Sequence, residues 1–379
     1  MKVLFTGGGT GGHFYPLLPI ADELHAMLDR ERLAGVEMYF MSDSPYDERA
    51  LFEHKLIFKK IPTGKRRTYA SFQNVLDVFK IAFACIRALG VMFRLYPDVV
   101  VGKGGYASFP ALFAARMLRI PVIIHDSDTV PGRVNIWAGK FAKRIAISYQ
   151  QAAEYFPRAR TALTGQPLRT SIITPVKDGS HQFFGFDPSI PTILVVGGSQ
   201  GALRINDTLL NALPNLIGRF QIIHQTGDRN LKEAEQISGL VLEKSPYKNR
   251  YKAFGTLDDA TLVRAAGIAD LVITRAGSTL FEIALWGIPS IVIPLAITRD
   301  QRTNAYTYAR AGAAEVIEEA NLSPHILTAL IESIMDDATK RALMAESTIP
   351  FRHPDAARKI AEQVVQVLVE HKKMELRTA

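Results

Sequence analysis

The sequence predicts an α/β protein made of two Rossmann-like, doubly wound parallel-sheet domains, and three observations carry that expectation. Short apolar runs alternate with helical stretches along the whole chain, and many runs are unbroken, as parallel strands covered on both faces require. At 379 residues the chain is too long for one ordinary core. The pattern also restarts once. "VLFTGGGTGG", beginning at Val3, is answered by "ILVVGGSQGA", beginning at Ile193, with Thr10 and Ser199 at matching places in the two loops.

Taken in order, strands are expected at 3–6, 37–41, 99–101, 122–125, 144–148, 192–196, 221–225, 271–274 and 290–294. Helices are expected between them, at 15–34, 107–118, 202–213, 279–286 and 301–311 among others. This βαβα rhythm is that of doubly wound layers. Residues 166–190 lack apolar periodicity and are rich in Pro, Gly, Ser and Thr. They read as a linker between a first domain at 1–165 and a second at 191–350. The apolar stretch from Phe72 to Phe93 is long enough to span a bilayer, but Asp77, Lys80 and Arg87 interrupt it. A charge at the bilayer centre costs about 2.5–3.5 kcal/mol, so a spanning helix is not expected. Two readings stay open. Either the helix packs into the first core, or an exposed apolar stripe dips into an anionic membrane surface, aided by Lys65, Arg66, Arg67 and Arg94.

Composition narrows the functional classes. A single cysteine, Cys85, excludes an intramolecular disulfide and fits a reducing cytosolic home. The start "MKVLFTGGG" has no secretory h-region, so no signal peptide is expected. A net charge of +8 suits anionic partners such as phosphorylated ligands or acidic lipid headgroups. Nucleic acid is not expected, since there is no long basic run, zinc-finger spacing or RNP-like aromatic motif.

The chemistry gathers in glycine loops. Between Gly7 and Gly12, five of six residues lack a side chain. Unpaired amides at a helix start bind anions, and bare backbone permits close approach. Gly7-x-Gly9-x-x-Gly12 also matches the dinucleotide fingerprint, and Asp43 follows the second strand where an NAD enzyme would hold ribose, so that reading stays open here. His13 stands beside a helix start, whose dipole should keep the imidazole neutral; it is a general base or a positioning group for a hydroxyl. Gly102-Lys103-Gly104-Gly105-Tyr106 offers further amides, an ammonium and a phenol. In the second half, the turn Gly277, Ser278, Thr279, Leu280 can hold a diphosphate, Glu282 the hydroxyls of a ribose, and Asp300 with Gln301 those of a sugar. No Asp-x-Asp triad, His/Cys cluster or nucleophile elbow is found, so neither a metal site nor serine-hydrolase chemistry is expected.

The chain resembles the MurG family, membrane-associated transferases that add N-acetylglucosamine to lipid I to make lipid II. The resemblance runs along almost its whole length. It is carried by "GGTGGHFYP" from Gly8, "GKGGYASFPALFAA" from Gly102, "GQPLR" from Gly165, "GGSQGA" from Gly197 and "HQTG" from His224. "ADLVITRAGSTLFEIALWGIPSIVIPL" from Ala269 and "NAYTYARAGAAEVI" from Asn304 complete it. The resemblance implies a GT-B fold, in which two Rossmann-like domains face a deep cleft and a last helix within 351–379 returns to the first domain. It implies a metal-independent, inverting transfer without cofactor, from UDP-GlcNAc to undecaprenyl-linked lipid I, on the cytoplasmic face of the cell membrane. Donor-binding positions of the family fall on Thr10, Gly11, Gly12, Asp128, Arg169, Ser199, Phe254, Gly255, Gly277, Ser278, Thr279, Leu280, Glu282, Asp300 and Gln301. Acceptor positions fall on Gly8, Gly9, Gly104, Gly105 and Tyr106, and the candidate base on His13. Where many relatives read His-Glu-Gln-Asn, this chain reads His125-Asp126-Ser127-Asp128, so a carboxylate replaces a neutral amide. Competing expectations are a GT-B enzyme using another UDP-sugar or a diacylglycerol-type acceptor, a UDP-GlcNAc 2-epimerase, and an NAD(P)-dependent oxidoreductase.

Overall fold

The computed structural model describes residues 1–30, 35–63, 73–197, 202–296 and 299–378. Ser199, Lys65, Arg66, Arg67 and Phe72 lie outside the described residues. The chain forms two compact units, one of residues 1–169 with 353–379 and the other of residues 170–352.

The first unit holds seven parallel strands: β1 (Lys2–Thr6), β2 (Glu37–Ser42), β3 (Ile57–Lys60), β4 (Val99–Gly102), β5 (Val122–Asp126), β6 (Arg144–Ile147) and β7 (Thr161–Leu163). Their order is β3-β2-β1-β4-β5-β6-β7, the doubly wound arrangement that reverses between β1 and β4. The pleat sends successive side chains to opposite layers. Val3 and Phe5 join a core with helices Leu17–Arg30 and Ala356–Thr378, through Leu24, Ile360 and Val364. Leu4, between them, joins the opposite core with Ala88 and Met92 of helix Gln73–Leu95 and with Leu112 of helix Phe109–Met117. The last helix is tied down further where Arg144 donates to Gln363 and Lys143 pairs with Glu370.

The second unit repeats the plan with β8 (Thr192–Val196), β9 (Gln221–Gln225), β10 (Tyr251–Phe254), β11 (Ala269–Thr274), β12 (Ser290–Val292) and β13 (Ala314–Val316). The order β10-β9-β8-β11-β12-β13 reverses between β8 and β11. Ile193 and Val195 face the layer of helices Leu203–Leu216 and Pro324–Met335, while Leu194 and Val196 face that of helices Asp259–Ile268 and Thr279–Trp286.

Two features differ from the sequence reading. Residues 170–190 are not an extended linker: Ile172, Phe184 and Phe186 are buried in the second core, and Trp286 Nε1 donates to Ile172 O at 2.8 Å. The apolar residues of this stretch are too sparse to show periodicity, yet enough to anchor it. The four edge strands, β3, β7, β10 and β13, were not among the strands expected.

Candidate active site

In open parallel sheets the ligand crevice lies at the strand C-termini, where the strand order reverses. In the first unit two glycine loops leave β1 and β4 at that point. Gly9 and Gly105 adopt φ of +82° and +78°, which disfavour any side chain. A Cβ on Gly9 would lie 2.6 Å from the Tyr106 ring, and one on Gly105 would lie 3.2 Å from the His13 ring. The missing side chains are what let the phenol and the imidazole reach one another's loops. A Cβ on Gly8 would strike Ser42 Oγ, and one on Gly104 would strike Asn135. Gly11 lies against Tyr15 and Tyr46, while Gly12 is exposed.

His13 is half-buried, and its Nδ1 lies 2.8 Å from Thr10 Oγ1. Burial, then the Lys103 ammonium, push its pKa down to about 4, so the ring is neutral at pH 7. The sequence reading invoked a helix dipole for the same effect, and the helix at Gly11–Phe14 is a single turn. For Nε2 to accept a proton, Nδ1 must carry the ring hydrogen and donate it to Thr10 Oγ1.

Asp43, the ribose candidate of the dinucleotide reading, is engaged inside the protein. Its carboxylate accepts hydrogen bonds from Ser42 Oγ at 3.2 Å, Thr63 Oγ1 at 3.0 Å and Tyr106 OH at 3.2 Å. Burial and Asp43 together raise the Tyr106 phenol. Lys103 also departs from the sequence reading, which offered its ammonium to ligand. The side chain is buried, and Nζ donates to Ser127 Oγ at 2.5 Å. Ser127 donates onward to Gln166, while Asp126 accepts from the Asp128 amide at 3.0 Å and from Asn135 at 2.8 Å. Burial moves Lys103 down, opposed by the charges of Asp126 and Asp128. Asp128 itself is half-buried, and the Arg169 guanidinium lies 5.8 Å from the Tyr15 ring centre.

In the second unit the corresponding reversal lies between β8 and β11. The Gly277, Ser278, Thr279 and Leu280 turn opens helix Thr279–Trp286, and among the described residues a Cβ on Gly277 would meet no atom within 4 Å. Anions bind at such helix starts where the backbone can be approached closely. Glu282 sits half-buried in that helix's first turn. Asp300 and Gln301 open helix Arg299–Arg310 after β12, and Gln301 Oε1 accepts the Leu295 amide at 3.1 Å. Asn304, on the same helix, donates to Ala276 O at 3.3 Å and so ties the helix to the glycine turn. Phe254 and Gly255 end β10 on the other side of β8. There Thr226 and Gly227 donate to their carbonyls, and a Cβ on Gly255 would strike Asp228. The structure therefore gathers His13, Thr10, Gly8, Gly9, Gly104, Gly105 and Tyr106 in one unit, and the Gly277–Leu280 turn with Glu282, Asp300 and Gln301 in the other.

Sequence reasoning passed over several residues that build these loops. Arg275 and Glu319 pair at 2.5 Å beside the glycine turn. His224 is buried between Tyr251 and Asn206. Arg275 and His224 lie inside quoted motifs, but nothing in the sequence distinguishes Glu319 from its acidic neighbours.

Comparison with known proteins adds an independent line. Residues 3–147 match the glycosyltransferase family 28 N-terminal domain and residues 192–364 its C-terminal domain. The chain is 34% identical over 372 residues to a Lactiplantibacillus plantarum protein, covering 97% of this chain and 99% of that one. That relative is named UDP-N-acetylglucosamine–N-acetylmuramyl-(pentapeptide) pyrophosphoryl-undecaprenol N-acetylglucosamine transferase. The crystal structure of Acinetobacter baumannii MurG matches with a TM-score of 0.73 at 26% identity, over 96% of this chain and 99% of that one. A UDP-N-acetylglucosamine 2-epimerase matches with a TM-score of 0.67 at 15% identity, over 96% and 95%, and shares the fold alone. With both of its domains matched and a named relative aligned nearly end to end, the chain belongs to glycosyltransferase family 28, in its MurG branch.

Proposed function

We propose that this chain is an inverting glycosyltransferase that moves N-acetylglucosamine from UDP-N-acetylglucosamine to the 4-hydroxyl of the muramyl sugar in undecaprenyl-pyrophosphoryl-N-acetylmuramyl-pentapeptide. The observation that carries this reading is the near end-to-end similarity to a relative named for that transfer. In it, His13 Nε2 takes the proton of the acceptor hydroxyl, whose oxygen bonds to the anomeric carbon. The bond from that carbon to the diphosphate oxygen breaks, and its electron pair leaves with UDP. Amides at the Gly277–Leu280 helix start face the developing charge, where preorganised dipoles are most effective. Glu282 holds ribose, and Asp300, Gln301, Asp128 and Arg169 serve donor recognition. Phe254 and Gly255 serve base recognition, Ser199, Thr10, Gly11 and Gly12 serve diphosphate recognition, and Gly8, Gly9, Gly104, Gly105 and Tyr106 receive the acceptor.

The same reading places the enzyme peripherally on an anionic membrane surface at the cytoplasmic face. Among the described residues no helix is long and apolar enough to cross a membrane. Support comes from helix Gln73–Leu95, which buries Ala84, Ala88 and Met92 but leaves Phe79, Phe83, Ile86 and Phe93 between 56% and 69% exposed.

UDP release from purified protein, given a lipid I analogue and a panel of UDP-sugars, tests the reaction. Release is expected with UDP-N-acetylglucosamine and only with acceptor present. Preference for another sugar, or UDP-N-acetylmannosamine formed without acceptor, overturns the proposal. His13→Ala should lower kcat by about 10²–10⁴-fold, whereas an unchanged kcat with raised KM assigns the ring to binding.

A further inference from the structure

Resting on the donor reading above, we propose that Glu319, acting with Arg275, is a positioning residue for the nucleotide-sugar. It fastens together the segments that follow β8, β11 and β12 at the reversal point of the second sheet.

Glu319 lies in the short turn Glu319–Asn321 beyond edge strand β13, remote in sequence from everything it holds. One carboxylate oxygen accepts from Arg275 Nη2 at 2.5 Å, and the other accepts the Ala296 amide at 3.3 Å. Its backbone carbonyl accepts from Arg204 Nε at 3.1 Å, in the first turn of the helix that follows β8. Arg275 completes the arrangement. It is the residue after β11, two residues ahead of Gly277, and its Nη1 donates to Ile293 O at 3.0 Å, just past β12. One ion pair therefore sets the spacing between the glycine turn and residues 293–296, which come shortly before Asp300 and Gln301 in sequence.

The pair is well placed to do this. The side chains of Arg275 and Glu319 are only 11% and 17% exposed, so solvent screens them weakly. They neutralise each other, so the hold adds no net charge near a diphosphate. Burial alone would raise the Glu319 carboxyl, but the bonds from Arg275 and the Ala296 amide outweigh it and hold its pKa low. Removing one partner leaves the other charge buried and three segments untied. Neighbouring Glu318 is different: it pairs with the exposed Arg302 and with Tyr306 rather than with Arg275 and Ala296, and serves as a control.

The test measures UDP affinity by calorimetry on the full chain, together with KM for each substrate, in Glu319→Ala, Glu319→Gln and Glu318→Ala. Glu319→Ala should weaken UDP binding at least about tenfold, within the hundredfold that a 1 Å misplacement costs. KM for UDP-N-acetylglucosamine should rise by a similar factor and KM for acceptor by less than about twofold. Glu319→Gln, which keeps an acceptor for one of the two donors, should fall between Glu319→Ala and the parent, and Glu318→Ala should match the parent. Equal UDP affinity in parent and Glu319→Ala overturns the inference while leaving the donor reading intact. A parallel rise in both KM values, or failure of both Glu319 variants to fold, makes the pair a stability element and also overturns it. A parent chain that binds no UDP sinks the donor reading itself, and this inference with it.

Discussion

At the scale of single residues, the chemistry turns on one hydrogen atom of His13. Thr10 Oγ1, 2.8 Å from Nδ1, selects the ring tautomer: as acceptor it leaves the Nε2 lone pair free, and as donor it removes it. Thr10→Val takes away the acceptor and should lower kcat about tenfold to a hundredfold, short of the 10²–10⁴ expected for loss of the base itself. Thr10→Ser should restore kcat, and equal kcat in the valine and serine variants would show that Thr10 does not act through the ring. The depressed pKa gives a second readout. A base at about 4 is already deprotonated at pH 5.5, so kcat/KM per folded molecule should stay level from pH 7 to 5.5. A group titrating at its ordinary 6.5 would have lost most of its activity over that span.

At the scale of elements, what the sequence disclosed and what it hid divide along one physical line. All nine strands expected from sequence are interior strands, where both faces are covered and many run apolar without a break, as in "VLFT" or "TILVV". The four that escaped are edge strands such as "IFKK" of β3 and "YKAF" of β10, half-solvated and interrupted by lysine. The glycine loops were equally legible, because bare backbone leaves a local mark. Glu319 and the inward turn of Lys103 were not, because their meaning lies in partners tens of residues away. Helix Gln73–Leu95 shows the same division: two readings were open from its composition, and the helix has one packed face and one exposed apolar face. Ala84, Ala88 and Met92 pack inward, while Phe79, Phe83, Ile86 and Phe93 form the outer stripe. If that stripe enters lipid, each large apolar side chain contributes about 1.5–3 kcal/mol. Phe83→Glu with Ile86→Glu should then weaken binding to phosphatidylglycerol vesicles by at least about a hundredfold. The melting temperature should hardly change, since neither side chain is buried. Vesicle flotation that is the same for parent and double variant would place the contact elsewhere.

At the scale of the whole molecule, both units carry buried neutral histidines, and this makes each of them sensitive to acid. In the second unit His224 is fully buried with its tautomer dictated by its neighbours. Asn206 Nδ2 donates to Thr226 O at 2.9 Å, which turns Asn206 Oδ1 toward His224 Nε2 at 3.0 Å, so Nε2 carries the hydrogen. Nδ1 then accepts from Tyr251 OH at 2.8 Å, and a second proton has no acceptor unless that hydroxyl reverses. Burial accordingly lowers the His224 pKa to about 3, while His13 and His125 in the first unit are lowered as well. The sign follows from linkage: below 6.5 the unfolded chain gains a proton that the folded chain refuses, so stability falls as pH drops. For His224 the loss is about 2 kcal/mol between pH 7 and pH 5. The two tryptophans, Trp137 and Trp286, lie in different units, so a Trp137→Phe background makes Trp286 fluorescence report on the second unit alone. In that background, denaturant stability measured at pH 7 and pH 5 should fall more for the parent than for His224→Gln, whose amide can keep both neighbours but cannot titrate. General charge repulsion at low pH acts on both proteins and cancels in the difference. If the two lose stability equally between those pH values, His224 is not the group that refuses the proton, and the acid sensitivity of this unit must come from elsewhere in it.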